Sequence, residues 1–361
     1  MTDNPYKQLA QRLDALPNGF PLTEDGEEIR LLEKIFEPEE AALAAKLRLT
    51  RETPAQVAER LGGDAKTMRK MLKGMVKKGL ITAGRVKGET GMGYGLMPFV
   101  VGIYEMQINR IDAEMAQLFE DYYLKVYSHA LVDEPQVHRV IPVGETVRND
   151  MEVRPYESAA DIVNGAKAWG VVDCICRKQK ALIGDPCDHP VDVCMVLGQV
   201  PGMFDNTGAV SNQTQEESLA TLQRAADAGL VHSVSNNQKG HWYICNCCTC
   251  SCGILRGMSE MGIANVVARS AFVNTVDEDL CVGCEDCVEY CQFDALELQG
   301  SVMTVNYTSC VGCGVCVPAC NDEAMTLVRR PEEEIKPIPV TERDWMAERA
   351  AVRGLDMNDV L

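Results

Sequence analysis

Several short motifs that bind nucleotides or carry out hydrolysis are missing from this chain of 361 residues. It has no GxxxxGK[ST] phosphate loop. The glycines at Gly91, Gly93 and Gly95 lack both the GxGxxG spacing and the strand–helix context of a dinucleotide site. No HExxH motif and no Ser/His/Asp arrangement is found either. Sites for ATP, nicotinamide or flavin, and hydrolytic centres, therefore have no support.

Long hydrophobic runs are also missing. No stretch approaches the ~18 uninterrupted apolar residues of a membrane helix, and the first residues contain no apolar run of the signal-peptide type. Hydrophobic residues make up 46% of the chain and charged residues 24%, which is typical of a globular protein. At ~150 residues per domain the length predicts two or three domains. We expect a soluble, cytoplasmic protein without membrane contact.

Cysteine, by contrast, is abundant, with 17 residues. An odd number of thiols in close clusters, without an export signal, indicates metal ligation in a reducing cytoplasm and not a disulfide scaffold. The net charge of −18 argues against a protein coated for nucleic-acid or membrane binding.

Eight of the cysteines lie in residues 281–320 and follow the spacing C-x2-C-x2-C-x3-C twice. Such short gaps place three thiolates around one face of a cluster and require a fourth from farther away. Zinc knuckles and disulfides are the alternatives, but tandem four-cysteine runs ending in x3 are typical of neither. The spacing suits a pair of iron–sulfur cubanes.

This segment resembles the bacterial two-[4Fe–4S] ferredoxin module. The resemblance implies that the last cysteine of each run ligates the other cluster. One cluster then has Cys281, Cys284, Cys287 and Cys320, and the other has Cys310, Cys313, Cys316 and Cys291. The proline that usually follows the fourth cysteine is Gln292 in one run and Asn321 in the other, a departure that bears on turn rigidity and potential and not on ligation.

The other nine cysteines lie between residues 174 and 252. The stretch around Cys174 and Cys176 has the pattern of a strand carrying both thiols on one face, ~6.6 Å apart. Nine thiols in so short a segment predict further iron–sulfur centres, although single buried cysteines are usually core residues. The segment resembles a domain found in ferredoxin-containing proteins of anaerobes.

We expect one further [4Fe–4S] cluster at Cys174, Cys176, Cys187 and Cys194. A second would be drawn from Cys245, Cys247, Cys248, Cys250 and Cys252. Zinc, or a single cluster sharing ligands from both blocks, is the alternative. Five other side chains are candidate ligands or proton donors, or else ordinary surface and capping residues: Asp188, His189, Asp192, His232 and His241.

The N-terminal third has helix signals. Helical patterns begin at Glu27, at Pro38, at Thr53-Pro54 and at Asp64, where Thr53 and Asp64 are N-cap residues. A glycine-rich turn after Gly79 predicts a β-wing. Three helices, a longer helix and a hairpin resemble a winged helix-turn-helix domain over residues 27–98.

The predicted helix after Asp64 is basic. Residues 62–88 carry a charge of +7, which leaves −25 for the rest of the chain. The candidate docking residues are Lys66, Arg69, Lys70, Lys73, Lys77, Arg85 and Lys87. They predict contact with DNA phosphates or with an acidic protein, or only a solvated face. Lysines read bases poorly, and only Thr67 and Arg69 are plausible readers, so DNA is the less favoured partner.

The fold class we predict is multidomain α+β. We divide the chain into a winged-helix-like domain with an N-terminal leader (1–98), a helical linker (99–136), a mixed α/β cysteine-rich domain (137–270), a ferredoxin-like 2[4Fe–4S] domain (271–330) and a linker with a C-terminal tail (331–361). The apolar residues of 99–130 suit a linker helix or a homodimer contact.

Three functions compete. Because clusters held entirely by thiolates have no open coordination position, they move electrons and do not bind substrate. The first hypothesis is therefore an electron-transfer component of an oxidoreductase system, which passes single electrons from a donor to a partner protein. The alternatives are a redox-sensing winged-helix transcription regulator and a reductase that uses an incompletely ligated cluster in the middle domain.

Overall fold

A computed structural model describes residues 4–86, 88–89, 91–144, 146–148, 150–205, 208 and 210–361. It mixes helices and strands, as the sequence predicts. The chain divides into two compact units. Unit 1 consists of Met1–Asp133, Leu182–Gly184 and Met346–Leu361, and unit 2 of Glu134–Ala181 and Asp185–Trp345.

Unit 1 is mainly helical, and its helices between residues 27 and 77 begin where the sequence signals predict. The side chain of Thr53 accepts a hydrogen bond from the backbone N–H of Gln56 at 3.3 Å, and that of Asp64 accepts one from Thr67 at 2.8 Å. Each satisfies a donor that a helix N-terminus leaves unpaired. The α-helices of unit 1 are Pro5–Asp14, Glu27–Ile35, Pro38–Ala44, Pro54–Leu61, Ala65–Lys77, Ala113–Tyr122 and Ser128–Ala130. The helix Glu342–Val352 belongs to unit 1 from Met346 onward.

Residues 4–26 contain several buried side chains. Leu9, Ala10 and Leu13 of the first helix are buried. Arg349 near the C-terminus is also buried and donates hydrogen bonds to the backbone carbonyls of Pro17 and Ala130, both at 2.8 Å. Both ends of the chain thus contribute to unit 1.

An aromatic core holds residues 99–127 in unit 1. The ring centroids of Phe20 and Phe99 lie 4.6 Å apart, and those of Tyr104 and Phe119 lie 3.8 Å apart. Since the apolar side chains of this segment are mostly buried within one chain, a homodimer through residues 99–130 would have to use exposed ones such as Leu124. The homodimer stays a prediction.

A seven-stranded sheet forms the first part of unit 2. Its strands, in spatial order, are Ser211–Gln213, Ala168–Val172, Cys194–Gly198, Tyr243–Cys247, Val231–Ser235, His138–Val140 and Val267–Ala268. Neighbours are antiparallel except the last pair. The helices Ala159–Asn164 and Gln215–Asp227 supply Ile162, Val163 and Leu222 to a core with Leu197 and Ile244 of the sheet. Ile175–Leu182 and Arg256–Ser259 are shorter helices.

The C-terminal part of unit 2 contains two antiparallel strand pairs. Phe272–Val276 pairs with Met325–Arg329, and Leu296–Gln299 pairs with Val302–Val305. A short helix, Asp286–Tyr290, lies between the first strand and the hairpin. The two cysteine runs therefore occupy the connections between these strands. Among the described residues, no helix is both long and apolar enough to cross a membrane.

Candidate metal centres

A recess of about 330 Å³ lies at the first cysteine run, including space open to solvent. Three cysteines of that run and the last cysteine of the other run line it: Cys281, Cys284, Cys287 and Cys320. Glu285 and Asp322 also border the recess, and Cys284 is exposed. Four thiols from two separate chain segments thus surround one space near the surface.

A second recess of about 330 Å³ has the reciprocal lining, from Cys310, Cys313, Cys316 and Cys291. Its other walls are mainly apolar, with Ala295, Leu296 and Val311 among them, and it has one buried amide, Asn274. The structure therefore brings the eight cysteines together in the same two groups that the ferredoxin resemblance implies.

A glycine in each cysteine run allows the backbone to turn tightly around the recess. Gly283 has a φ of +68°, and a Cβ there would lie 2.7 Å from the backbone oxygen of Ser301. Gly312 has a φ of +72°, and a Cβ there would overlap the backbone oxygen of Phe272. Both positions require a left-handed conformation that glycine adopts readily, and neither has room for a side chain.

Hydrogen-bond donors point at several of the sulfurs. The backbone N–H of Ala295 donates to Cys291 at 3.4 Å, and the N–H of Ala324 donates to Cys320 at 3.3 Å. The N–H of Met303 donates to Cys281 at 3.4 Å. Donors of this kind stabilise thiolate charge and tune a bound cluster. Four thiols per recess, a glycine cradle and donors to sulfur together fit a [4Fe–4S] cluster.

Burial favours the protonated thiol at Cys313 and Cys287 when no metal binds them. It raises the pKa of Cys313 to about 12 and that of Cys287 to about 11. Because metal ligation needs the thiolate, loading these recesses must release protons.

The nine cysteines of the middle region form two groups, which differ from those expected along the sequence. Side-chain contacts connect six thiols in a chain that runs Cys194–Cys174–Cys176–Cys252–Cys247–Cys245. Strand register explains the grouping. Cys194 pairs with Val172, at the end of the strand that leads to Cys174. On the other side, Met195 pairs with Ile244, which precedes Cys245.

The prediction that a strand carries Cys174 and Cys176 is wrong. The strand ends at Val172, and the helix Ile175–Leu182 begins three residues later. Val172 pairs with Cys194, the first residue of the neighbouring strand, so the ladder with that strand ends there. The two thiols instead lie around the start of the helix.

Arg177 provides a buried cation beside these thiols. It is 2% exposed, and its Nε and Nη1 atoms have no hydrogen-bond partner among the described residues. Burial alone would lower its pKa, but the nearby Cys174, Cys248 and Cys194 outweigh that effect and raise it. A buried guanidinium with unpaired donors requires negative charge nearby, and a thiolate-ligated metal centre would supply that charge.

The remaining three cysteines join a histidine. Cys187, His189, Cys248 and Cys250 place their ligand atoms within 4.8 Å of one another. Hydrogen bonding to Cys250, and to a lesser degree to His189, lowers the pKa of Cys248 although burial opposes it. Hydrogen bonding to Cys248 in turn raises the pKa of His189. Cys187 therefore lies apart from the set Cys174, Cys176 and Cys194 with which the sequence grouped it.

The other candidate polar residues have ordinary partners. His232 Nδ1 lies 2.6 Å from Asn246 Oδ1, and His241 Nε2 lies 2.8 Å from the carbonyl of Asn237. Asp192 pairs with Arg224 at 2.7 Å. Asp188 is exposed.

Most of the candidate docking residues are exposed in unit 1. Lys66, Arg69, Lys70, Lys73 and Lys77 are all exposed on the helix Ala65–Lys77, whose opposite side buries Leu72 and Met75. Arg85 is exposed on the strand Thr82–Arg85 of a hairpin with Met92–Gly95. Lys87 lies outside the described residues.

Three residues at the centres carry no motif in the sequence. Asn274 donates from Nδ2 to Cys316 Sγ at 3.2 Å. Arg177 and Ser251 lie beside the middle cysteines. Their role depends on which strands meet in space. The only local signal for Arg177 and Ser251 is that each is next to a cysteine in the sequence.

Comparison with known proteins matches residues 274–297 to Fer4, a 4Fe-4S binding domain. The match covers the first cysteine run, and the chain therefore contains an iron–sulfur module with at least one 4Fe–4S site. No curated protein and no solved structure matches the chain.

Proposed function

We propose that this protein is an electron-transfer component that passes single electrons through two [4Fe–4S] clusters, each held by four cysteines of the two recesses. The observation that carries the proposal is the reciprocal lining of those recesses, three thiols from one run and the fourth from the other. A [4Fe–4S] cluster supplies one-electron redox chemistry, and full thiolate ligation leaves no position for substrate.

The first recess is the better contact point for a redox partner. Cys284 is exposed at its rim, and so are Val282 and Leu280. The exposed acids of the surrounding segments are Asp277, Glu278, Asp279, Glu285, Asp286, Glu289, Asp322 and Glu323. Charge complementarity steers association, so the partner protein we propose presents a basic face around its own redox centre.

The second recess lies toward the sheet of unit 2. The backbone N–H of Val143 donates to the carbonyl of Cys313 at 2.9 Å. Electrons that enter at the first recess would reach the second and then the middle cysteines. We propose a further iron–sulfur centre at the six-thiol group, because six thiols exceed the four ligands of one tetrahedral ion and Arg177 supplies a compensating buried charge.

For residues 27–98 we propose a winged-helix domain. Four helices followed by an antiparallel hairpin support it, as do the exposed cations on the helix Ala65–Lys77. These cations have no ion-pair partner within the described residues, which leaves them available for an acidic protein or a phosphate backbone. Redox-sensing regulation of transcription is the second candidate function, and it rests on this helix alone.

An anaerobic redox titration of the whole chain, followed by EPR, tests the proposed function. We expect one-electron steps at low potential and rapid reduction of a small one-electron acceptor. Failure to accept electrons from dithionite, with iron present at the expected content, would contradict the proposal.

A further inference from the structure

Four potential metal-ligand atoms of the cysteine-rich region have the spacing of ligands to a single metal ion and not to an iron–sulfur cluster. The ligand atoms of Cys187, His189, Cys248 and Cys250 all lie within 4.8 Å of one another. The sulfurs of Cys187 and Cys248 are 4.0 Å apart, and Cys250 Sγ is 3.8 Å from His189 Nδ1.

Tetrahedral geometry accounts for these distances. With Zn–S bonds of ≈ 2.3 Å, two ligand atoms on one zinc ion lie about 3.8 Å apart. The four thiolates of a cubane bind four different irons on the outside of the cluster and cannot all lie this close to one another. In the six-thiol group, by contrast, the contacts run only from one thiol to the next. We propose that these four residues bind a single zinc ion as a Cys3His site, separate from the iron–sulfur centres.

The surroundings suit a structural site. Cys248 is 1% exposed and packs with Val193, Ala225 and Leu230, whereas Cys250 is exposed. The buried thiol anchors the ion, and the exposed side leaves a path for it to enter. Four protein ligands complete the coordination, so the ion would be inert and would hold the 187–189 loop against the 248–250 turn.

A neighbouring hydroxyl supports the ligands. Ser251 Oγ donates to Cys187 Sγ at 3.3 Å and lies 3.9 Å from Cys250 Sγ. Hydrogen bonds of this kind orient metal ligands and stabilise their charge.

Metal analysis of the whole chain, purified without oxygen from a zinc-supplemented culture, tests the inference. We expect one zinc per chain in addition to the iron. His189→Ala and Cys250→Ser should each lose the zinc and keep the iron content and the EPR signal of the reduced protein. The matched control is Cys194→Ser, in the six-thiol group, which should lower the iron and keep the zinc.

X-ray absorption at the zinc edge of the unmodified protein covers the case in which the variants fold poorly. It should give a shell of three sulfurs at ≈ 2.3 Å and one nitrogen at ≈ 2.0 Å. Absence of zinc from the wild type, or loss of about four irons from His189→Ala, would overturn the inference. The redox test of the proposed function is independent of this result, because it reads iron and not zinc.

Discussion

The side chain of Gln292 connects the ferredoxin-like module to the cysteine-rich loop of the sheet domain through Thr249. Its Oε1 accepts a hydrogen bond from the backbone N–H of Thr249 at 2.7 Å, and its Nε2 donates to the carbonyl of Gly229. Gln292 follows Cys291, and Thr249 lies between Cys248 and Cys250. Proline, the usual residue after the fourth cysteine in the modules that this segment resembles, has no side-chain amide and cannot make either bond.

Replacing Gln292 with proline should therefore loosen the loop without emptying the module. We expect Gln292→Pro to retain the iron content and to lower hydrogen-exchange protection of the Thr249 amide by roughly fivefold, since one hydrogen bond contributes about 1 kcal/mol. Electron transfer between the ferredoxin-like module and the iron–sulfur centre proposed at the six-thiol group should slow. Asn321→Pro is the matched control, because Asn321 has the same place in the other run and is exposed. Equal effects of the two substitutions would refute the coupling.

The clusters bound in the two recesses should have different reduction potentials because of Asn274. This buried amide donates to Cys316, which lines the second recess, and Met303 stands at the corresponding place in the other half. A donor to sulfur stabilises the more negative, reduced cluster. Asn274→Val should lower the potential of the second site by tens of millivolts, the scale of a fraction of one hydrogen bond, and should leave the first unchanged. EPR-monitored titration of the variant measures both; an equal shift at the two sites would contradict the assignment.

Acid should destabilise unit 2 through its buried histidines. Burial lowers the pKa of His138 to about 4, and of His232 likewise to about 4. The unfolded chain takes up these protons near pH 6.5 and the folded chain only near pH 4, so the free energy of unfolding falls as the pH drops between those values. At pH 5 the loss is roughly 2 kcal/mol per histidine.

Urea unfolding at pH 7.5 and pH 5 checks this expectation. His138→Asn should reduce the difference between the two pH values by about one histidine's share. His129→Asn, at an exposed position, should leave it unchanged. The same pH dependence in all three proteins would mean that another group controls acid stability.

Binding of DNA by the basic helix should be weak and sensitive to salt. Four or five phosphate contacts would cost roughly two to three decades of affinity between 50 and 200 mM salt, at a slope of ~0.9 per contact. Lys70→Glu with Lys73→Glu should abolish the binding and keep every cluster. Lys7→Glu with Lys239→Glu gives the same change of charge away from the helix and should have a small effect. Tight, sequence-specific binding that changes with cluster oxidation would instead favour the regulator.

Local signals in the sequence predicted local structure well. N-cap residues located the helices after Thr53 and Asp64, since each pairs with the backbone only a few residues away. The cysteine spacing predicted an iron–sulfur module for the same reason, because three of the four thiols at each recess come from one short run.

Contacts that depend on strand order could not be predicted in this way. Cys187 is closer in sequence to Cys194 than to Cys248, yet the structure places it beside Cys248. Cys187 lies in the loop before the strand Cys194–Gly198 and Cys248 follows the strand Tyr243–Cys247, and these two strands pair in the sheet. No local pattern in the sequence encodes that pairing. Asn274, seven residues before Cys281, reaches Cys316 across the module for the same reason.

The most direct test of the central claim measures iron, acid-labile sulfide and EPR on the anaerobically purified chain and on two variants. The wild type should contain at least eight irons, with the signal of two interacting reduced [4Fe–4S] clusters. Cys320→Ala should perturb the cluster held by the first run, and Cys291→Ala the cluster held by the second. If each substitution instead affected only the cluster of its own run, or if the wild type held zinc in place of iron at the two recesses and gave no low-potential signal, the account would be contradicted.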